Sequence, residues 1–204
     1  SEAINKIKLE SLIKELELKT IKSQINPHFI FNALNSIRAL VDENPTRARQ
    51  AITELSNILR SSIQADKVEI TTLEKELTIV KDYLALEYIR FEDRLQVIYE
   101  VDAVSLQNKV PPMMLQTLVE NAIKHGLSKQ PGVCQIKIIS KFEADKHVLM
   151  VQNTGILAKV EKDGFGLQST RERLNILYKG SAEFEIYQDT PNQVTAKLKI
   201  PIAA

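Results

Sequence analysis

The chain has 204 residues, with 27 Lys+Arg against 26 Asp+Glu, a formal charge of +1 and a hydrophobic share of 44 %. That length corresponds to one large or two small domains with a sizeable core, and a charge so near zero excludes nucleic-acid binding driven by a basic surface. The single cysteine, Cys134, excludes an intrachain disulfide and a multi-cysteine metal site, and no signal-peptide pattern or apolar run of about 18 residues is present.

In chain order, residues 1 to about 43 read as one long helix, with Leu18, Ile21, Ile25 and His28 as a coiled-coil-like seam. Pro27 lies inside that pattern, and an interior proline predicts a kink. Asn44-Pro45 ends the helix. A second helix runs from Thr46 to about Asp66, with Ala51, Ile52, Leu55, Ile58, Leu59 and Ile63 on one face. So short a connection makes an antiparallel hairpin, and its two apolar faces predict pairing with a second copy into a four-helix bundle. Thr71 with Glu74 reads as a capping box. The helix it opens carries Leu73, Leu77, Val80, Leu84, Tyr88 and Phe91 on its inner face. Leu95, Val97, Tyr99 and Val101 alternate as a strand, and Pro111-Pro112 opens a helix running to Gly126. Strands at 135–141 and 147–152, a Gly-bearing loop, a helix from about Ser169 to Tyr178, and strands near 183–188 and 194–200 complete the chain. The fold class is therefore α+β: a helical hairpin over 1–67, then an α/β sandwich of about five strands and three helices over 68–204.

Three constellations carry chemistry. The first is Gln24-Ile25-Asn26-Pro27-His28-Phe29-Ile30-Phe31-Asn32. Alone, His28 fits a satisfied polar residue of a helix seam. A proline directly before it breaks helix rules, however, and such breaks gather at functional sites. Asn32, four residues on, can reach the ring and set its orientation and tautomer. Phe29 and Phe31 read as core residues. The second constellation is Glu120-Asn121-Ala122-Ile123-Lys124-His125-Gly126, in which Asn121, Lys124 and His125 fall within little more than a turn and can converge on one ligand. Asparagine offers a neutral oxygen to Mg²⁺, lysine a point charge to phosphate, histidine a hydrogen bond. The third pairs Asn153-Thr154-Gly155 with Gly164-Phe165-Gly166-Leu167. Glycines there let backbone approach a phosphate closely, although Gly-x-Gly often marks only a turn. Neither the dinucleotide fingerprint nor a Walker sequence is present.

The order of these pieces resembles the sensor histidine kinases of the LytS type, in the superfamily of gyrase, MutL and the heat-shock chaperone ATPases. Its most specific stretches are Gln-x-Asn-Pro-His-Phe-x-Phe-Asn at 24–32 and Glu-Asn-Ala-x-Lys-His-Gly at 120–126. Tyr83-Leu84, Arg90-Phe91, the 111–116 segment and Arg171-Glu-Arg-Leu174 agree with it. The resemblance implies a homodimer with a helical phosphoacceptor domain, followed by a Bergerat-type ATP-binding domain. It places the phosphoacceptor on His28, oriented by Asn32, and the Mg²⁺-binding asparagine on Asn121. It assigns Lys124, His125, Asn153, Gly155, Gly164, Gly166, Leu167 and Arg173 to the nucleotide, and offers Glu120 as the base. The chain departs from the family in several places. Asn153-Thr154-Gly155 stands for Asp-Asn-Gly, so the adenine amine would meet a neutral amide oxygen rather than a carboxylate. Ser169 replaces an asparagine, Gln193-Val194 replaces Gly-Thr, and Phe29 follows the histidine where other kinases carry an acid.

The expectation is a histidine kinase that uses ATP and Mg²⁺ to phosphorylate His28 and then passes the phosphoryl group to a response-regulator aspartate. A start at Ser1 rather than Met suggests the cytoplasmic portion of a longer, membrane-anchored receptor. Two alternatives are a degenerate kinase serving as a dimeric scaffold and a conformational ATPase of the gyrase kind. The His28 hairpin disfavours the latter.

Overall fold

A computed structural model of the chain describes residues 26–65, 67–68, 70–157 and 165–202. The seam positions Leu18, Ile21 and Ile25 lie outside the described residues. Helix α1 (Pro27–Glu43) begins at Pro27, with Asn26 extended and its side-chain oxygen accepting the His28 N–H at 3.0 Å. The expected interior kink is therefore a helix start. A proline at the first helical position loses only a donor that would have had no intrahelical partner. Asn44, outside the helical region before Pro45, ends α1 and accepts the Arg47 N–H at 3.1 Å, so one residue closes α1 and opens α2 (Pro45–Ala65). Spacings of three and four put Ala48, Ala51, Leu55, Ile58 and Ser62 inside.

Strand β1 (Thr71–Thr72) precedes α3 (Leu73–Phe91). The cap of α3 is Thr72, whose hydroxyl accepts from Lys75 N. Thr71, expected in that role, instead pairs with Val110 of β3 (Lys109–Val110). Helix α3 buries more than one face, because it lies between the hairpin and the rest of the fold. Phe29 stacks on Tyr83 with ring centroids 4.6 Å apart. Arg47 donates to the Ala85 carbonyl at 3.0 Å while holding Glu54 at 3.0 Å, and Asn57 donates to Asp82 at 3.1 Å. Tyr88, expected inside, is exposed and donates its hydroxyl proton to Asp93.

The main sheet contains β2 (Leu95–Val101), β4 (Cys134–Glu143), β5 (Lys146–Thr154), β6 (Glu183–Thr190) and β7 (Gln193–Pro201), in the order β2-β4-β5-β7-β6. Among the described residues only β2 and β4 pair in parallel, with α4 (Met114–His125) inside their crossover. Alternation buries Ile136 and Ile138 of β4, and Ala196, Leu198 and Ile200 of β7, on one face. That face packs on α3, α4 and α5 (Phe165–Tyr178), which starts four residues before the expected Ser169. The proline pair at 111–112 does not open α4. Met113, in the left-handed region at φ 65°, precedes it without a side-chain cap of its own. The cap comes from α3, where Glu76 Oε1 accepts the Met113 N–H at 2.9 Å.

Under the sheet lies a buried polar chain with one consistent direction. Ser105 donates to the Asp102 carbonyl at 2.7 Å, so it must accept from Ser140, also at 2.7 Å. Ser140 has then spent its only proton and accepts from His147 Nε2 at 2.7 Å, which leaves Nδ1 to accept from Asn108 at 2.8 Å. Burial holds the His147 pKa down to about 4. The unfolded chain takes up that proton near pH 6.5. This ring's contribution to stability is therefore complete above about pH 6.5 and is lost as the pH falls toward about 4. Ring NMR should show His147 still neutral, with its proton on Nε2, at pH 5.

Candidate functional site

The motifs fall into two places. At the start of α1, His28 is exposed, and Asn32 one turn on places its amide nitrogen 3.2 Å from His28 Nδ1, with amide rotation able to exchange nitrogen for oxygen there. With the amide nitrogen toward the ring, Nδ1 accepts and the proton sits on Nε2. With the oxygen toward the ring, Nδ1–H donates and Nε2 presents its lone pair outward. Phe29, next in sequence, is buried on Tyr83 and anchors this turn. Phe31 is 66 % exposed, against the expectation that it fills the core. It shares its exposure with Leu34 and Val41, and on α2 Ile52 and Ile63 are likewise exposed.

The second place is a cleft between α4, the ends of β5 and β7, β6 and the start of α5. Asn121, His125, Asn153 and Leu167 line it, among Leu118, Ile156, Ile186 and Val194. Sequence-distant motifs meet here because two glycines permit it. A Cβ on Gly126 would lie 2.6 Å from Cys134 Sγ and 2.9 Å from the Thr154 carbonyl. Gly155, at φ +152°, passes 3.6 Å from Gly126 Cα by the same measure. The end of α4 thus sits directly on the strand ends that carry Asn153.

Asn153 is buried, and its amide nitrogen donates to the Thr154 carbonyl at 3.0 Å, leaving the oxygen to act as acceptor. The Asn121 amide nitrogen is buried without a hydrogen-bond partner, so it can donate to an oxygen of a bound ligand. Ser169, where the family carries asparagine, likewise has a buried hydroxyl without a partner. Lys124 is exposed on α4 and does not line the cleft. Arg173 is also outside it, donating to the Pro112 carbonyl at 2.7 Å. Gly164 lies outside the described residues, and Gly166 falls in the first turn of α5.

Beside the cleft, burial pushes the Glu120 carboxyl up to about 7, opposed by a Gln116 amide donating at 3.1 Å and reinforced by the Glu87 charge. Both carboxylates also raise the Tyr83 hydroxyl, whose own burial is the larger cause. Glu87 and Glu76 were missed by motif reading. Their signal was a carboxylate on the apolar inner face of α3. Among the described residues no cluster of His, Cys, Asp and Glu forms a metal cage, and no helix is long and apolar enough to cross a membrane.

The histidine kinase family model matches residues 16–95. The chain is 33 % identical to the Staphylococcus haemolyticus sensor protein LytS, over 93 % of this chain and 35 % of that protein. It is 38 % identical to the Escherichia coli sensor histidine kinase YpdA, over 83 % of this chain and 32 % of that protein. It thus spans about a third of the length of these relatives. Its fold is similar to the histidine kinase domain of the Erythrobacter litoralis blue-light activated histidine kinase, with TM-score 0.54, 14 % identity and 91 % and 90 % of the two chains covered. It is also similar to the catalytic domain of histidine kinase ThkA, with TM-score 0.52, 19 % identity and 67 % and 100 % covered. A helical hairpin with an exposed histidine, beside an α/β sandwich holding a cleft, is the architecture of a histidine kinase. The chain belongs to this family, among the LytS-type sensors. Such kinases in general use ATP and Mg²⁺, are dimeric and act on a response regulator.

Because a Cβ at Gly126 meets main-chain oxygen on two sides, Gly126→Ala should destabilise the chain by about 1–3 kcal/mol, the cost typical of overpacking. Urea unfolding of the two proteins measures it.

Proposed function

We propose that this chain is the kinase portion of a LytS-type sensor, binding ATP at the α4–β5–β7 cleft and phosphorylating itself on His28. The observation that carries the reading is the exposed His28 ring held at Nδ1 by Asn32, 3.2 Å away, on an element separate from the cleft. With the Asn32 oxygen toward the ring, the Nε2 lone pair of neutral His28 attacks the γ-phosphorus. The bond from that phosphorus to the β,γ-bridging oxygen breaks, and ADP leaves. Positive charge developing on the ring is stabilised by the Nδ1–H donated to Asn32, and that proton is lost afterwards. Positioning and charge neutralisation supply most of such catalysis.

In the cleft, Asn153 would accept from the adenine amine, and Asn121 would hold Mg²⁺ through its oxygen and a phosphate through its unpartnered nitrogen. Bound Mg²⁺ would neutralise phosphate charge. His125, Gly155, Leu167 and the 164–166 glycines would surround the nucleotide. The exposed Lys124 could reach the phosphates only from the rim, and Arg173 would act indirectly through Pro112. Glu120 is the candidate base; with its carboxyl near 7, its ionised fraction rises as the pH passes through neutrality. We assign residues 1–67 to dimerisation and phosphoacceptance and 68–204 to nucleotide binding. The acceptor of the phosphohistidine would be an aspartate of a response regulator, and the chain would form the cytoplasmic portion of a membrane-anchored receptor. One relative, from Staphylococcus aureus, is named a kinase/phosphatase, so removal of the phosphoryl group from the regulator belongs to the same proposal. The scaffold alternative gains no support from a cleft whose buried amide still lacks a partner.

His28→Gln should abolish acid-labile, alkali-stable labelling from γ-labelled ATP while leaving nucleotide affinity nearly unchanged. Asn121→Ala should lose Mg²⁺-dependent nucleotide binding and labelling together. Titration with a fluorescent ATP analogue beside the labelling assay separates the two.

Dimerisation through the hairpin is supported by Phe31 at 66 %, Val41 at 50 % and Ile63 at 64 % exposure, a face a second copy would cover. Light scattering at micromolar concentration should return twice the chain mass of 23.1 kDa, and Phe31→Glu should return the monomer.

A further inference from the structure

Arg94 lies in the single 3-10 turn Glu92–Arg94 between α3 and β2, outside every constellation above. Its guanidinium donates to three main-chain carbonyls of the segment joining α4 to β4. Nε reaches Gly132 at 3.0 Å, and Nη2 reaches Leu127 at 3.1 Å and Gln130 at 2.8 Å. The buried Phe91 ring lies beneath it, 5.8 Å from centroid to guanidinium carbon. No helix or strand spans 126–133. The segment's own main chain adds bonds from Ser128 N to the Ile123 carbonyl and from Gln130 N to the Gly126 carbonyl, each 3.2 Å. One planar fork therefore does here what a ladder of backbone bonds does elsewhere.

That segment is continuous with the last turn of α4, where His125 and Gly126 press on Thr154 and Gly155. Arg94 itself is exposed, and two of its three bonds lie at the solvent edge. Water can replace its donors if the side chain is cut back, so the fold survives, but water cannot hold three carbonyls at one fixed spacing. We propose that Arg94 is a positioning residue for nucleotide binding: by gripping 127–132 it fixes the C-terminal turn of α4, and with it Asn121 and His125, against the cleft. The proposal rests on the reading of that cleft as the ATP site. A lysine presents one compact ammonium instead of a fork, so it should restore the grip only in part.

The test titrates a fluorescent ATP analogue against the whole chain, wild type, Arg94→Lys and Arg94→Ala, with thermal midpoints and amide exchange measured on each. The expected result is an affinity weakened about tenfold in the alanine variant and less in the lysine variant, with millimolar guanidinium ion recovering part of the loss in the alanine variant alone. Exchange should speed at 127–132 while β5 and β7 keep their protection. Affinity within about twofold of wild type would overturn the proposal. So would a loss that follows the thermal midpoint and is indifferent to guanidinium. Should the alanine variant fail to fold, the lysine variant decides by affinity and exchange alone, and wild-type affinity with unchanged exchange at 127–132 overturns the proposal. Failure of the wild-type chain itself to bind the analogue is a different result, and it overturns the ATP reading on which Arg94 depends.

Discussion

Where α4 ends, its backbone comes so close to the ends of β4 and β5 that a single methyl group on Gly126 would collide with the Cys134 sulfur and the Thr154 carbonyl oxygen. This close approach is the constraint on which the cleft depends. It brings a helix carrying Asn121 and His125 against a strand carrying Asn153, although the two motifs are separated by a whole hairpin strand. The helix is then pinned at its other end by Glu76 of α3, which supplies the cap the sequence around Met113 lacks. A site built this way owes its shape to groups that never face a ligand.

Much of this was legible in the chain, and the failures share a cause. Periodicity located α2, β4, β5 and β7 because burial alternates at fixed intervals along one element, which is a local property. Pro27 was misread because the helical pattern was carried through Asn26, whereas Asn-Pro is a cap followed by a first helical position. Thr71 and Thr72 are equivalent as caps by composition; both pair with β3, a long-range contact, and the helix starts directly after the second, which makes Thr72 the cap. The Met113 cap and the Arg94 grip were invisible for the same reason. Their partners are a side chain 37 positions away and carbonyls that every residue possesses. Phe31 exposes a different limit: an apolar residue left on the surface has the same composition as one destined for the core.

The site residues divide along similar lines. Motif order set His28 apart from Asn121, Asn153 and Gly155, and the structure brings Asn121 and Asn153 to one cleft, but the sequence could not tell which of their neighbours face it. Lys124 and Arg173 share helices with residues that do, yet one points to solvent and the other ties α5 to Pro112. The boundary between hairpin and sandwich is similarly blurred in space. Phe29, Tyr83 and Leu118 belong to one continuous apolar cluster, so the turn that carries His28 is packed on the same helix that braces the cleft.

The buried chain from Asn108 through His147, Ser140 and Ser105 to Asp102 has a further consequence. Each hydroxyl in it has one proton, and each proton is already directed toward the next member. None of these links can be reversed while Ser105 donates to the Asp102 carbonyl, because a carbonyl can only accept. Replacing one member with an apolar residue strands its neighbours, whereas replacing the whole series with well-packed apolar side chains strands none. Evolutionary drift at the four side-chain positions, Ser105, Asn108, Ser140 and His147, is therefore expected to move in blocks, with intermediate sequences passing through a less stable fold than either end.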